Sequence, residues 1–194
     1  MPRSALYLLV AQGCLGAFDT LYYHEWRYRL AGSPVTAGRE LRLHAARDFI
    51  YAVLLATAPF VAWGGPLAWA LVALLASEVA ITLADFVVED RVRAPWGGVA
   101  PGERAMHAVM AIVYGAVLAE LAPAVLAWSR LPLGFARHAR APGAAEYVCA
   151  ALAAGVFASG ARDLGASCGV AACGWPWARP AGATRGSAGA LPPP

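Results

Sequence analysis

Four stretches of this 194-residue chain, near residues 5–23, 44–63, 67–88 and 107–128, run about as long as a bilayer is thick with few charges among them. A helix rises 1.5 Å per residue, so roughly 20 mostly apolar residues span the hydrocarbon core. No soluble fold offers four such segments enough interior to bury in, and with 60% apolar and 14% charged residues the rest of the chain does not compensate. The sequence therefore predicts an all-α integral membrane bundle. A fifth segment, about 144–160, is apolar around a lone Glu146 but short, so the expectation is five transmembrane helices, or four if this one does not cross. Arg3 ahead of an apolar run gives the first segment the outline of a signal peptide, but Ala11 and Gln12 fit lipoprotein cleavage before Cys14 poorly, and it is read as a helix. The Gly-, Ala- and Pro-rich stretch 165–194 has no periodicity and is expected to be a disordered tail.

All 15 basic residues are arginines, and they lie between the apolar segments instead of along one soluble face. That pattern sets topology and argues against a nucleic-acid partner. Arg27, Arg29, Arg39, Arg42 and Arg47 crowd the first connection and Arg91, Arg93 and Arg104 the third, while the second, around Trp63-Gly64-Gly65-Pro66, carries no charge. The positive-inside rule then turns the first and third connections to the cytoplasm, against the lesser votes of Arg3, Arg130, Arg137 and Arg140, in a bacterial inner membrane.

Antiparallel helices bring the end of the first span, the start of the second, the end of the third and the start of the fourth to one side. Most of the acidic residues and three of the four histidines fall there: Asp19, His24 and Glu25; His44 and Asp48; Glu78, Asp85, Glu89 and Asp90; Glu103 and His107. Ionisable groups inside a span are costly and point to function. At 100° per residue Asp85 and Glu89 fall about 20° to either side of Glu78, so the three share one face. His44 with Asp48, and Glu103 with His107, are i, i+4 pairs able to converge, and Tyr51 and Tyr114 continue those stripes. On an uninterrupted first helix His24 points roughly 140° away from Asp19, so only one of the two is expected to join.

Imidazoles and carboxylates from facing helices suit iron, manganese or zinc, in the manner of soluble di-iron bundles although without their Glu-x-x-His spacing. The expected ligands are foremost His44, Asp48, Asp85, Glu89 and His107, then Glu78 and Glu103, and last Asp19, His24 and Glu25, supporting redox or hydrolytic chemistry. Haem held by His44 and His107 is a lesser alternative, since it leaves the carboxylates without a task. The same residues with the neighbouring arginines also fit an interfacial salt-bridge network in a structural or accessory subunit, partnered by a larger membrane enzyme or by further copies of the chain. His138 reads as a loop residue, and Gln12, Gly13 and Gly16 as close helix contacts.

The strings Phe18-Asp19-Thr20-Leu21-Tyr22-Tyr23-His24-Glu25-Trp26-Arg27, His44-Ala45-Ala46-Arg47-Asp48, Asp85-Phe86-Val87-Val88-Glu89-Asp90 and Glu103-Arg104-Ala105-Met106-His107 resemble those of an uncharacterised family of bacterial multi-pass membrane proteins. The resemblance covers the first four helices and implies membrane placement without an activity.

Overall fold

Proline sets where three of the helices begin. Pro34, Pro66 and Pro101 each occupy a first helical turn, where the missing N–H has no partner to lose and the fixed φ already suits a helix. A computed structural model describes residues 1–173, and among these are five long helices: α1 (Arg3–Asp19), α2 (Pro34–Thr57), α3 (Pro66–Arg93), α4 (Pro101–Trp128) and α5 (Ala144–Ser167). Past Asp19, α1 continues as a π-helix over Thr20–Arg27. The second segment differs from expectation at both ends. It starts at Pro34 because the charged run from Arg39 to Arg47 is itself helical, and it stops at Thr57, just ahead of Pro59, which has no N–H to continue the ladder, although Ala58 itself keeps helical φ and ψ.

Beyond that stop, β1 (Val61–Gly64) pairs antiparallel with β2 (Gly134–Arg137), Trp63 opposite Phe135. This ribbon ties the α2–α3 and α4–α5 connections together at one end of the bundle. Gly64 permits it: a Cβ there would lie 2.2 Å from the Pro132 carbonyl oxygen and 2.9 Å from that of Gly134. His138 secures the ribbon to the end of α2, its backbone N–H donating to the Phe60 carbonyl and its Nε2 lying 3.0 Å from the Ala58 oxygen.

Four segments among the described residues are long and apolar enough to cross a membrane: Arg3–Gly32, Pro66–Trp96, Pro101–Trp128 and Ala144–Ser167. The chain is thus a multi-pass helical membrane protein. The short fifth segment of the sequence is one of these four, since α5 runs to Ser167. α2 is not, because of Arg39, Glu40, Arg42, Arg47 and Asp48. Even so, α2 runs from one end of the bundle to the other, packed against α5 and α3 with Glu40 and His44 turned inward. Many outward-facing side chains are apolar, among them Trp69, Leu83 and Val87 on α3, Ile112 and Leu126 on α4, and Phe157 on α5.

The interior is layered. A large apolar cluster built on Leu6, Leu9, Leu54, Leu55, Leu71, Val117 and Leu121 fills the half nearer the ribbon. A smaller one, with Tyr23, Tyr28, Leu30, Leu41, Ala100 and Ala166, closes the opposite end. Between them lies a layer of charged side chains. The closing end is pinned by Tyr28, whose hydroxyl donates to the Gly98 carbonyl at 3.0 Å and accepts the Ala100 N–H at 2.9 Å. Residues 165–173, expected to belong to the tail, instead finish α5 and form a short 3-10 turn at Ala171–Cys173. The rest of the expected tail, 174–194, lies outside the described residues.

Candidate metal centre

The π-helix decides which residues of the first segment reach the interior. Its i→i+5 hydrogen bonding, closed by the Tyr28 N–H to the Tyr23 carbonyl at 2.9 Å, brings residues five apart into line. Asp19 and His24 are five apart. The expectation that only one of them would join, drawn from an uninterrupted α-helix, is therefore overturned: Asp19 is 4% and His24 7% exposed, and their Oδ2 and Nε2 atoms are 3.4 Å apart.

From α4, Glu103 and His107 meet this pair. His107 Nε2 is 3.4 Å from Asp19 Oδ2, and His24 Nε2 is 3.6 Å from Glu103 Oε1. One ligand atom from each of Asp19, His24, Glu103 and His107 falls within 4.8 Å of all the others, and all four residues are buried. The remaining His107 nitrogen, Nδ1, faces Glu89 Oε1 at 3.3 Å, and Phe86 stacks on the ring. Such an outer carboxylate orients a ligating imidazole and raises its basicity.

Beside this foursome stands a second group centred on His44, whose ring stacks on that of His24 with centroids 4.4 Å apart. His44 Nε2 is 3.2 Å from Asp85 Oδ2 and 3.8 Å from Glu40 Oε1, while Nδ1 is 3.9 Å from Asp163 Oδ2. Asp85 also accepts a 2.9 Å hydrogen bond from Arg47, and Glu78 accepts one from Thr82 at 2.8 Å. Arg93 is completely buried, donating at 2.5 Å to Glu40 and at 2.5 Å to Glu103. Glu25 pairs with Arg162, away from the foursome. Asp48 is half-buried, on the wall of a cavity toward α5.

The structure thus brings Asp19, His24, Glu103 and His107 onto one point, with Glu89 behind His107, and sets His44 and Asp85 alongside. Glu78, Glu25 and Asp48 are buried or half-buried nearby but do not converge with them. Glu40 and Asp163 belong to the layer without having been singled out from the sequence, and Arg93, expected among the arginines of an interfacial network, joins them in the interior. Two of them carried a readable signal, since Glu40 precedes His44, and Arg93 follows Glu89, by four residues.

Neither family models, curated proteins nor solved structures yield a match to this chain. Its site must be read from its own chemistry.

Charge balance is the most telling part of that chemistry. Eight carboxylates in the layer are buried: Asp19, Glu25, Glu40, Glu78, Asp85, Glu89, Glu103 and Asp163. Facing them, among the described residues, are three guanidiniums, of Arg47, Arg93 and Arg162, and three imidazoles. Counted with all of these groups ionised, the layer carries two more negative than positive charges. Among the described residues, Asp19 Oδ1, Glu103 Oε2, Glu89 Oε2 and His24 Nε2 are buried without a hydrogen-bond partner, an arrangement that ordinarily costs free energy.

Proposed function

We propose that this chain is a membrane-embedded metalloprotein that holds a divalent transition ion on Asp19, His24, Glu103 and His107 and supports redox or hydrolytic chemistry there. One observation carries the reading. The facing nitrogen and oxygen atoms stand 3.4 to 3.6 Å apart, longer than the ~2.7–2.9 Å of a charge-assisted hydrogen bond. Metal–ligand bonds of about 2.0–2.2 Å place neighbouring ligand atoms roughly 3.0–3.5 Å apart, the edges of an octahedron or tetrahedron. Imidazoles that ligate a metal are neutral and no longer offset the carboxylates, so the site's charge favours a cation, and the mixed imidazole and carboxylate donors suit iron, manganese or zinc. His44 lies alongside, between Asp85 and Glu40, but those carboxylates are held by Arg47 and Arg93, so the geometry supports one ion and not the carboxylate-bridged pair of dinuclear bundles.

The ion would supply Lewis acidity or a redox couple, and the chain's own residues set the surroundings. Glu89 orients His107, the stacked Phe86 and His44 rings fix the imidazole planes, and the Tyr28 layer screens the site from water. Haem receives no support from this geometry: His44 Nε2 is turned to Asp85 and Glu40, and both His107 nitrogens face carboxylates. We place the site toward the cytoplasm of a bacterial inner membrane on the arginine distribution alone.

A second reading, a structural or accessory subunit locked by ion pairs, is favoured by Arg93, which is satisfied by Glu40 and Glu103 without any ion. Elemental analysis of the detergent-purified chain separates the two. Wild type equilibrated with iron, manganese and zinc should carry near-stoichiometric metal, falling about tenfold or more in a still-helical Asp19→Asn, His107→Gln variant. A wild type that takes up none of the three supports the network and overturns the metal reading.

A further inference from the structure

We infer that the partner of this site is a membrane-dissolved single-chain amphiphile with an uncharged polar end, which enters sideways from the bilayer between α1 and α5. A cavity of about 720 Å³ lies between α1, α2 and α5, within the roughly 300–1,000 Å³ typical of small-molecule sites. Its walls are mostly apolar or without side chains, as at Gly13, Gly16, Leu55, Met110, Leu152 and Gly155, with Gln12 and Tyr51 among the polar exceptions. Its floor is the charged layer, reached at Asp19, His24, His44 and Asp48.

The cavity opens on the outer face of α1 and α5, both within segments long and apolar enough to cross a membrane. At the mouth Leu21 is 55% and Val148 41% exposed, and Ala151 and Gly155 are also exposed. Hydrocarbon surrounds a mouth placed there, so what arrives by it is apolar over most of its length.

The glycines show that the space is built in. Gly13 is a close helix contact, as the sequence suggested, since a Cβ there would come 2.8 Å from Leu152. Gly16 is not: neither at Gly16 nor at Gly155 would a Cβ meet anything within 4 Å. Both line the cavity and border open space.

The floor selects the polar end. Asp19, Asp48 and Asp163 line it, and its two guanidiniums are already engaged, Arg47 by Asp85 and Glu78 and Arg162 by Glu25 and Asp163, so an anionic head meets repulsion. Among the described residues, Asp19 Oδ1 and His44 Nδ1 are buried there without hydrogen-bond partners, complementary to a hydroxyl that both donates and accepts. The same end would face His24 and Asp19 of the metal site. Only this presentation to an ion rests on the proposed function; occupancy of the cavity does not.

A photoactivatable long-chain alcohol added to the purified full chain in nanodiscs tests the inference. Labelling, mapped by mass spectrometry, should saturate on α1 and α5 and be competed by the unlabelled alcohol. It should fall about tenfold in Gly16→Leu and in Gly155→Leu, the scale on which a hydrophobic pocket discriminates by size. Metal content in both variants should equal that of wild type. Unsaturable labelling, or full labelling in both variants, overturns the cavity assignment, and a carboxylate-headed probe of equal length labelling as well as the alcohol overturns the uncharged end. A metal-free wild type that labels as expected sinks the metal reading and leaves this one standing; a metal-loaded wild type that does not label does the reverse.

Discussion

Replacing Arg93 by methionine tests how the charged layer is held together. The guanidinium is completely buried, reaches Glu40 through Nη2 at 2.5 Å and Nε at 3.0 Å and Glu103 through Nη1 at 2.5 Å, and lies 4.3 Å over the Tyr28 ring centre. Methionine fills much of the same volume but leaves two fully buried carboxylates without their cation. Removing one partner of a buried ion pair costs about 3–5 kcal/mol, because the other charge stays desolvated. At roughly 2–4 °C per kcal/mol for a chain of this size, Tm should fall by about 6–20 °C in a detergent thermal melt. Adding Glu40→Gln to Arg93→Met should recover a large part of the loss, since one stranded charge is gone. Arg93→Lys should fall between wild type and Arg93→Met, because an ammonium cannot reproduce the fork that spans both glutamates. A melt of Arg93→Met within about 1 kcal/mol of wild type, or a double variant whose losses simply add, refutes the assignment of Arg93 as the cation that holds Glu40 and Glu103.

Two further predictions concern the ribbon end. Gly64→Ala forces a Cβ against the Pro132 and Gly134 carbonyls, both backbone, and should cost about 1–3 kcal/mol in the same melt; an unchanged Tm would show that the ribbon yields freely. Burial, together with the N-terminal ammonium and Arg140, lowers the His138 pKa below 6.5 despite the hydrogen bond to Ala58. The folded state therefore binds that proton less readily than the unfolded one. His138 carries no penalty above about pH 6.5 and destabilises as pH falls below it. Between pH 8 and 5 the wild-type Tm should drop more steeply than that of His138→Gln, and parallel curves would contradict this.

Apolar run length alone made the helical membrane architecture legible, and 100° phasing correctly aligned Glu78, Asp85 and Glu89 as one buried stripe. What the phasing could not supply was the π-helix. Thr20–Arg27 contains no proline or glycine to announce a change of hydrogen bonding, and the change is stabilised by where Tyr23, His24 and Tyr28 pack. Arg93 read as a loop residue because it follows an apolar run; only the full length of α3 shows it continuing the Asp85 and Glu89 stripe inward. Asp163 was hidden for a similar reason, lying beyond the expected end of a helix that continues to Ser167. Gly16 and Gly13 looked alike in sequence, and it is the position of α5 that makes one a contact and the other a cavity wall.

The two readings of the charged layer differ in what offsets its cost. Apolar clusters lie on both sides of it, so these charges are not simply helix ends meeting water. Buried ion pairs seldom outperform an apolar core of the same shape, and a network built only to fasten helices would at least be balanced. Among the described residues this one holds eight buried carboxylates against three arginines and three histidines, and unpartnered oxygens gather where Asp19 and Glu103 face two imidazoles. An ion bound at that point would offset the excess and satisfy those atoms together, which rearranging the arginines cannot do, since Arg93 and Arg47 are already committed. The cavity reaches the layer from the Asp19, His24 and His44 side, so the place where the charge excess calls for an ion is also the place a ligand from the bilayer would meet first.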